Sequence, residues 1–257
     1  MEEGDSLAGL AAVDDPELEW KFCVAALPAM LLAALAFHVL MPFLQRTFLT
    51  MPVHEIGHAA AAWLCGYFAI PTLWKTMVPD ERGFLAPLLL AGGMAWMMFR
   101  AWQAEKPALV ALGAGVLVLL GIGTFGIREK TAQMLITFGG DGLGMVLATG
   151  LMASFFFGKE TQLYRGSLRW GFLAIGAAAF VDIFGVWVAA RRDFGRIPFG
   201  EQEGTGPSDA TKLVDDFGWT ADQLINRHVA LGACCLLVLV LIYAWGVRQA
   251  WVAKSNA

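Results

Sequence analysis

The stretch that decides the fold is His54-Glu55-Ile56-Gly57-His58-Ala59-Ala60-Ala61-Ala62-Trp63-Leu64-Cys65-Gly66, set inside the apolar run 48–68. On a helix, residues four apart share a face, so His54 and His58 stand one turn apart with Glu55 beside them. Two imidazoles so placed suit two ligands of one Zn²⁺, and the glutamate between them suits a general base toward water at the ion. Two of the chain's four histidines fall in this pentapeptide. Left unpaired in hydrocarbon, such groups cost roughly 2–3 kcal/mol or more each. A metal, a haem or a proton path would offset that cost; packing alone would not.

The surrounding composition is that of a membrane protein. The 257 residues are 58% hydrophobic and only 16% charged, with mean hydropathy +0.60. Soluble domains run nearer a quarter charged. A spanning helix needs about 20 mainly apolar residues, and the stretches 22–42, 48–68, 84–102, 108–126, 132–157, 169–190 and 229–251 qualify. The expected fold class is all-α: a polytopic transmembrane helical bundle with about six to seven spans, the third and fourth forming a tight hairpin. Around one membrane domain, 22–251, the reading sets an acidic tail at 1–21 and a short tail at 252–257. The acidic start and the length of the first apolar segment argue against a cleaved leader. Net charge is −4 with no basic cluster, which leaves no footing for nucleic acid and makes the lipid bilayer the expected partner. Lys and Arg divide almost evenly between the two sides, so no orientation follows. Trp20, Trp102, Trp170 and Trp251 fall near predicted helix ends, as interfacial aromatics do. Cys23, Cys65, Cys234 and Cys235 lie in apolar segments without CxxC spacing and read as packed thiols.

Two connections are informative. Residues 70–83 carry Pro71, Pro79 and Gly83 and read as a short link or hairpin. The soluble segment 192–228 should hold a short helix capped by Ser208, carrying Leu213, Val214 and Phe217 and ending at Gly218. Thr220 and Gln223 fit a capping box for the last span. The whole segment reads as a small amphipathic lid or surface element. Gly121-Ile122-Gly123-Thr124-Phe125-Gly126 matches GxGxxG, but it ends a membrane segment and reads as helix packing or a turn rather than a dinucleotide site.

The run 54–66 resembles the active-site helix of site-2-protease-like intramembrane zinc metalloproteases, which carry HExGH followed by small residues and a Gly. The resemblance implies a hydrolase that cuts a membrane-anchored protein in or near its spanning segment, in a bacterial plasma membrane. It implies Zn²⁺ held by His54, His58 and an Asp of a later Asp-Gly motif. Phe138-Gly139-Gly140-Asp141-Gly142-Leu143-Gly144 supplies Asp141 for that position, and Glu55 takes the role of general base. Asp182, an isolated acid in mid-span, is the alternative ligand or a carboxylate that orients a ligand imidazole. His38, near the end of the first span, is a further candidate for either role, or a hydrogen-bonded packing histidine. The chain departs from the family in having no Asn and Pro upstream of the Asp-Gly motif. The carbonyl would then be polarised by a hydroxyl such as Thr137 or Thr149, by an Arg, or by zinc alone. Two other readings stay open: a catalytically inactive protease-like membrane scaffold, and a haem- or metal-binding membrane protein that uses His54, His58 and His38.

Overall fold

A computed structural model describes residues 15–157, 168–202 and 206–257. They are almost wholly helical: α1 Pro16–Leu40, α2 Met51–Leu64, α3 Leu85–Gln103, α4 Pro107–Gly121, α5 Glu129–Ala153, α6 Leu168–Ala190, α7 Asp209–Asp215 and α8 Ala221–Ser255. Six helical segments are long and apolar enough to cross a membrane: Pro16–Leu40, Leu85–Gln103, Pro107–Gly126, Glu129–Phe156, Leu168–Ala190 and Ala221–Ser255. The fold class is therefore the expected all-α, multi-pass one. Its strands are two-residue pairs, β1 Ile70–Pro71 with β2 Thr76–Met77 and β3 Glu201–Gln202 with β4 Gly206–Pro207, each antiparallel.

The segment expected to span at 48–68 starts earlier and stops sooner than its apolar run. The 14-residue helix α2 continues without a break from α-helical Pro42–Gln45 and π-helical Arg46–Thr50, with Gln45, Arg46 and Met51 all in the right-handed region. The helical path from 42 to 64 is about 34 Å long at 1.5 Å per residue, enough for a hydrocarbon core of about 30 Å. Its end is set by Gly66, whose φ of 84° is open to glycine at little cost. Tyr67 N–H then bonds back to Ala62 O at 2.9 Å and Gly66 N–H to Trp63 O at 3.2 Å, which satisfies carbonyls that the helix end would orphan.

The chain divides into two compact units. One takes in the described residues of Met1–Val53, Gly144–Ile197 and Ile225–Ala257. Arg169 there forms a two-pronged pair with Glu19, at 2.9 and 3.1 Å. Asp182, 2% exposed, lies 3.2 Å from Arg46 Nη1 and 3.2 Å from His38 Nδ1. Gln45, fully buried, donates to Ala178 O at 2.9 Å. These polar contacts give the intramembrane acid two basic neighbours, as a buried charge requires.

The other unit takes in His54–Leu143 and the described residues of Pro198–Leu224. Its core gathers Ala59, Ala61, Ala62, Cys65, Tyr67, Ala69, Ala132 and Ile136. Small residues let the helix axes come close, the usual way helices associate where water supplies no hydrophobic drive. Arg82 ties the end of α4 down, donating to Thr124 O and Ile127 O at 2.9 Å each. Within the GxGxxG run, Gly123 lies against the backbone carbonyl of Leu64, where a Cβ would overlap it. Gly115 on α4 has nothing within 4 Å of a Cβ. Gly123→Ala should therefore lower the thermal unfolding midpoint of the detergent-solubilised protein, at a cost of about 1–3 kcal/mol. Gly115→Ala should leave the midpoint unchanged or raise it.

Candidate metal centre

The site is built on three helices of one unit. Four alanines in a row, the best helix formers, support α2 just after the motif. His54, Glu55 and His58 project from it, His54 and Glu55 buried and His58 half-buried. The two rings meet edge to face with centroids 4.7 Å apart, and their Nε2 atoms are 3.1 Å apart.

The second helix, α5, reaches the imidazoles because it has no side chain where it crosses them. A Cβ at Gly139 would lie 2.8 Å from Ala61 Cβ and 3.0 Å from Gly57 O. One at Gly140 would lie 2.5 Å from both His54 Cε1 and His58 Nε2. These glycines lie in mid-helix rather than at an irregular helix start, and they serve close backbone approach. At this crossing α5 holds each ring from behind. Ile136 O is 2.7 Å from His58 Nδ1, and Asp141 Oδ1 is 2.9 Å from His54 Nδ1. A carbonyl oxygen only accepts, so the Nδ1–H of His58 donates to Ile136 O, and its Nε2 is turned toward His54 and Asp209.

The third helix, α7, brings the remaining arm. Ser208 caps it as expected, accepting from Thr211 N at 3.3 Å, and Gly218 turns the chain away at φ 71°. Ala210 and Leu213 are buried, and Trp219, just beyond, packs against Phe138 of α5 with centroids 5.6 Å apart and the rings tilted by 48°. Asp209 is the first residue of the helix. Its Oδ2 lies 3.0 Å from His58 Nε2 and 3.2 Å from His54 Nε2. Burial works against its charge, yet the His58 and His54 imidazoles outweigh that and hold the carboxyl well below the usual carboxylate range.

His54, His58 and Asp209 form the one group of three His, Cys, Asp or Glu side chains among the described residues whose ligand atoms lie close enough, within 4.8 Å of each other, to hold a metal ion. Two imidazole nitrogens and one carboxylate oxygen form a set met in catalytic zinc sites, which keep a fourth position open. Asp141, expected as the third arm, contacts the Nδ1 side of His54 rather than the Nε2 pair. Asp182 and His38 are paired with each other in the other unit and do not belong to the converging group. Asp209 was missed because it was read as part of a surface lid. Its only sequence signal is an acid directly after a helix cap, which the N-terminal dipole explains equally well.

The imidazoles open onto a cleft of about 470 Å³, lined also by Glu55, Thr76, Gln133, Thr137 and Lys212. The β1–β2 hairpin meets the expected link at 70–83 and brings Thr76 to Glu55. Thr76 Oγ1 is 2.7 Å from Glu55 Oε2 and 2.7 Å from the Glu55 carbonyl, so its single proton serves one of them at a time.

Gly140→Ala should weaken metal binding at least about tenfold, comparable to losing a group that supports a ligand. Asp182→Asn should leave metal content unchanged. Metal analysis of both purified variants checks this pair. Compared with known proteins, the chain matches no family model, no curated protein and no solved structure.

Proposed function

We propose that the protein is an intramembrane zinc metallopeptidase, a hydrolase that cuts a membrane-anchored protein in or near its spanning segment. The observation that carries this reading is the convergence of His54 Nε2, His58 Nε2 and Asp209 Oδ2 beside Glu55 in one cleft. We assign these three atoms as the zinc ligands. Asp141 and Ile136 O become the groups that fix the two rings from behind, a role carboxylates and carbonyls commonly fill at metal-bound histidines. When bound, zinc would polarise a carbonyl and acidify water.

The rest falls to the chain's own groups. Glu55 takes a proton from water and later gives it to the leaving amine. Thr76 holds the Glu55 side chain against the hairpin. Burial of Glu55, which is 4% exposed, keeps bulk water from competing for that proton. The haem alternative loses ground to the same geometry. Axial imidazoles must oppose each other across a plane, whereas these two approach from one helix face with nitrogens 3.1 Å apart. The likeness of residues 54–66 to site-2-protease-like enzymes supports the peptidase over other zinc hydrolases, and also the bacterial plasma membrane as its setting.

The purified protein should bind one zinc per chain. Asp209→Ala should weaken that binding more than Asp141→Asn, for which a loss of about 10–100-fold is expected. Glu55→Gln should keep its zinc and lose turnover by about 10²–10⁴-fold. Metal analysis together with a cleavage assay separates these outcomes; full turnover by Glu55→Gln would exclude the mechanism.

A further inference from the structure

Hydrolysis of an amide places negative charge on the carbonyl oxygen, and a fixed donor aimed at that charge is commonly worth about 10²–10³ in rate. The side-chain donors lining the cleft besides the histidines are Trp74, Lys75, Thr76, Gln133, Thr137 and Lys212. Most are excluded by what they already do. Thr76 is held by Glu55. Thr137 donates to Gln133 O at 2.9 Å. Thr149, the other hydroxyl considered for this task, donates to Met145 O at 2.8 Å and belongs to the other unit. Trp74 and Lys75 are exposed. Gln133 and Lys212 remain, both half-buried.

Lys212 has the better position and the better chemistry. It follows Asp209 by three residues on α7, so the two side chains share a face, roughly 5–6 Å apart at their Cβ atoms. Both residues line the cleft, so the flexible four-carbon chain of Lys212 starts one helical turn from the carboxylate whose Oδ2 touches both Nε2 atoms. Lys212 forms no ion pair among the described residues, although Asp209 and Asp216 lie three and four residues away. A cation is also a stronger partner for an oxyanion than the neutral amide of Gln133.

We propose that Lys212 is a catalytic residue of this site, meeting the oxyanion that forms on the scissile carbonyl. The proposal rests on the peptidase reading. As the water oxygen bonds to the carbonyl carbon, a water proton passes to Glu55 and the C=O π pair moves onto oxygen, where the Lys212 ammonium stabilises it. When the C–N bond breaks, that pair returns to re-form C=O, and the proton on Glu55 goes to the amine nitrogen. One short helix then supplies both a zinc ligand and the electrophile, at positions 209 and 212.

A lysine in the last turn of a helix also favours the carbonyl ends of that turn, so the test must separate the two roles. Full-length zinc-loaded protein in liposomes, with a fluorescently labelled single-span peptide anchored in the same liposomes as the probe, gives kcat, KM, zinc content and thermal midpoint. Lys212→Gln should lower kcat by about 10²–10³-fold with KM, zinc and midpoint unchanged, and Lys212→Arg should recover at least about tenfold of the loss. Three results overturn the proposal: Lys212→Gln within about threefold of wild type while Glu55→Gln is inactive; a parallel fall in zinc or midpoint; or a larger loss in Gln133→Leu. If Glu55→Gln is as active as wild type, or wild type does not turn over, the peptidase reading itself fails and this inference falls with it.

Discussion

The site depends on one steric constraint, the crossing of α2 and α5 with no side chain between them. Gly57 and Ala61 on one helix face Gly139 and Gly140 on the other, close enough that a single methyl at 140 would overlap both imidazoles. Only at that separation do Ile136 O and Asp141 reach the ring nitrogens that point away from the cleft. Holding Nδ1 from behind is what turns the two Nε2 atoms toward one point. Small residues thus do two things here: they let helices pack where no water drives them together, and they aim the donors.

The site is completed by a segment of different character. The helix α7 has seven residues, too short to be stable alone, and draws its order from a Ser208 cap, two buried apolar side chains and the neighbouring Trp219. Asp209 therefore stands on a short connecting helix, whereas both histidines stand on α2, packed against α5 through small residues.

Much of this was legible in the sequence. The apolar runs gave the helices, because a 20-residue run has few alternatives in a bilayer, and HExxH gave the histidine face, because i and i+4 must coincide on a helix. The Ser208 cap, the Gly218 stop and the Thr220–Gln223 capping box were also readable, since each is a local contact; Thr220 N donates to Gln223 Oε1 at 3.1 Å and Gln223 N to Thr220 Oγ1 at 3.2 Å. What was not legible is which carboxylate faces which nitrogen. Asp141 and Asp209 both come within hydrogen-bond distance of His54, from 87 and 155 residues away, and only the packing of three helices separates the Nδ1 side from the Nε2 side. The end of α2 at Leu64 is hidden in the sequence for a similar reason. Residues 65–68 are apolar enough to continue a span, but Gly66 takes a left-handed turn and the chain leaves the helix there.

His54, His58 and Asp209 are proposed to hold one zinc ion together. X-ray absorption at the zinc edge, on the zinc-loaded protein and on Asp209→Ala, tests it most directly. Ligation by these three residues should give two imidazole nitrogens and light oxygen scatterers at about 2.0–2.2 Å, with the first shell altered in the variant. A sulfur ligand at about 2.3 Å, or a spectrum unchanged by the loss of Asp209, would contradict it.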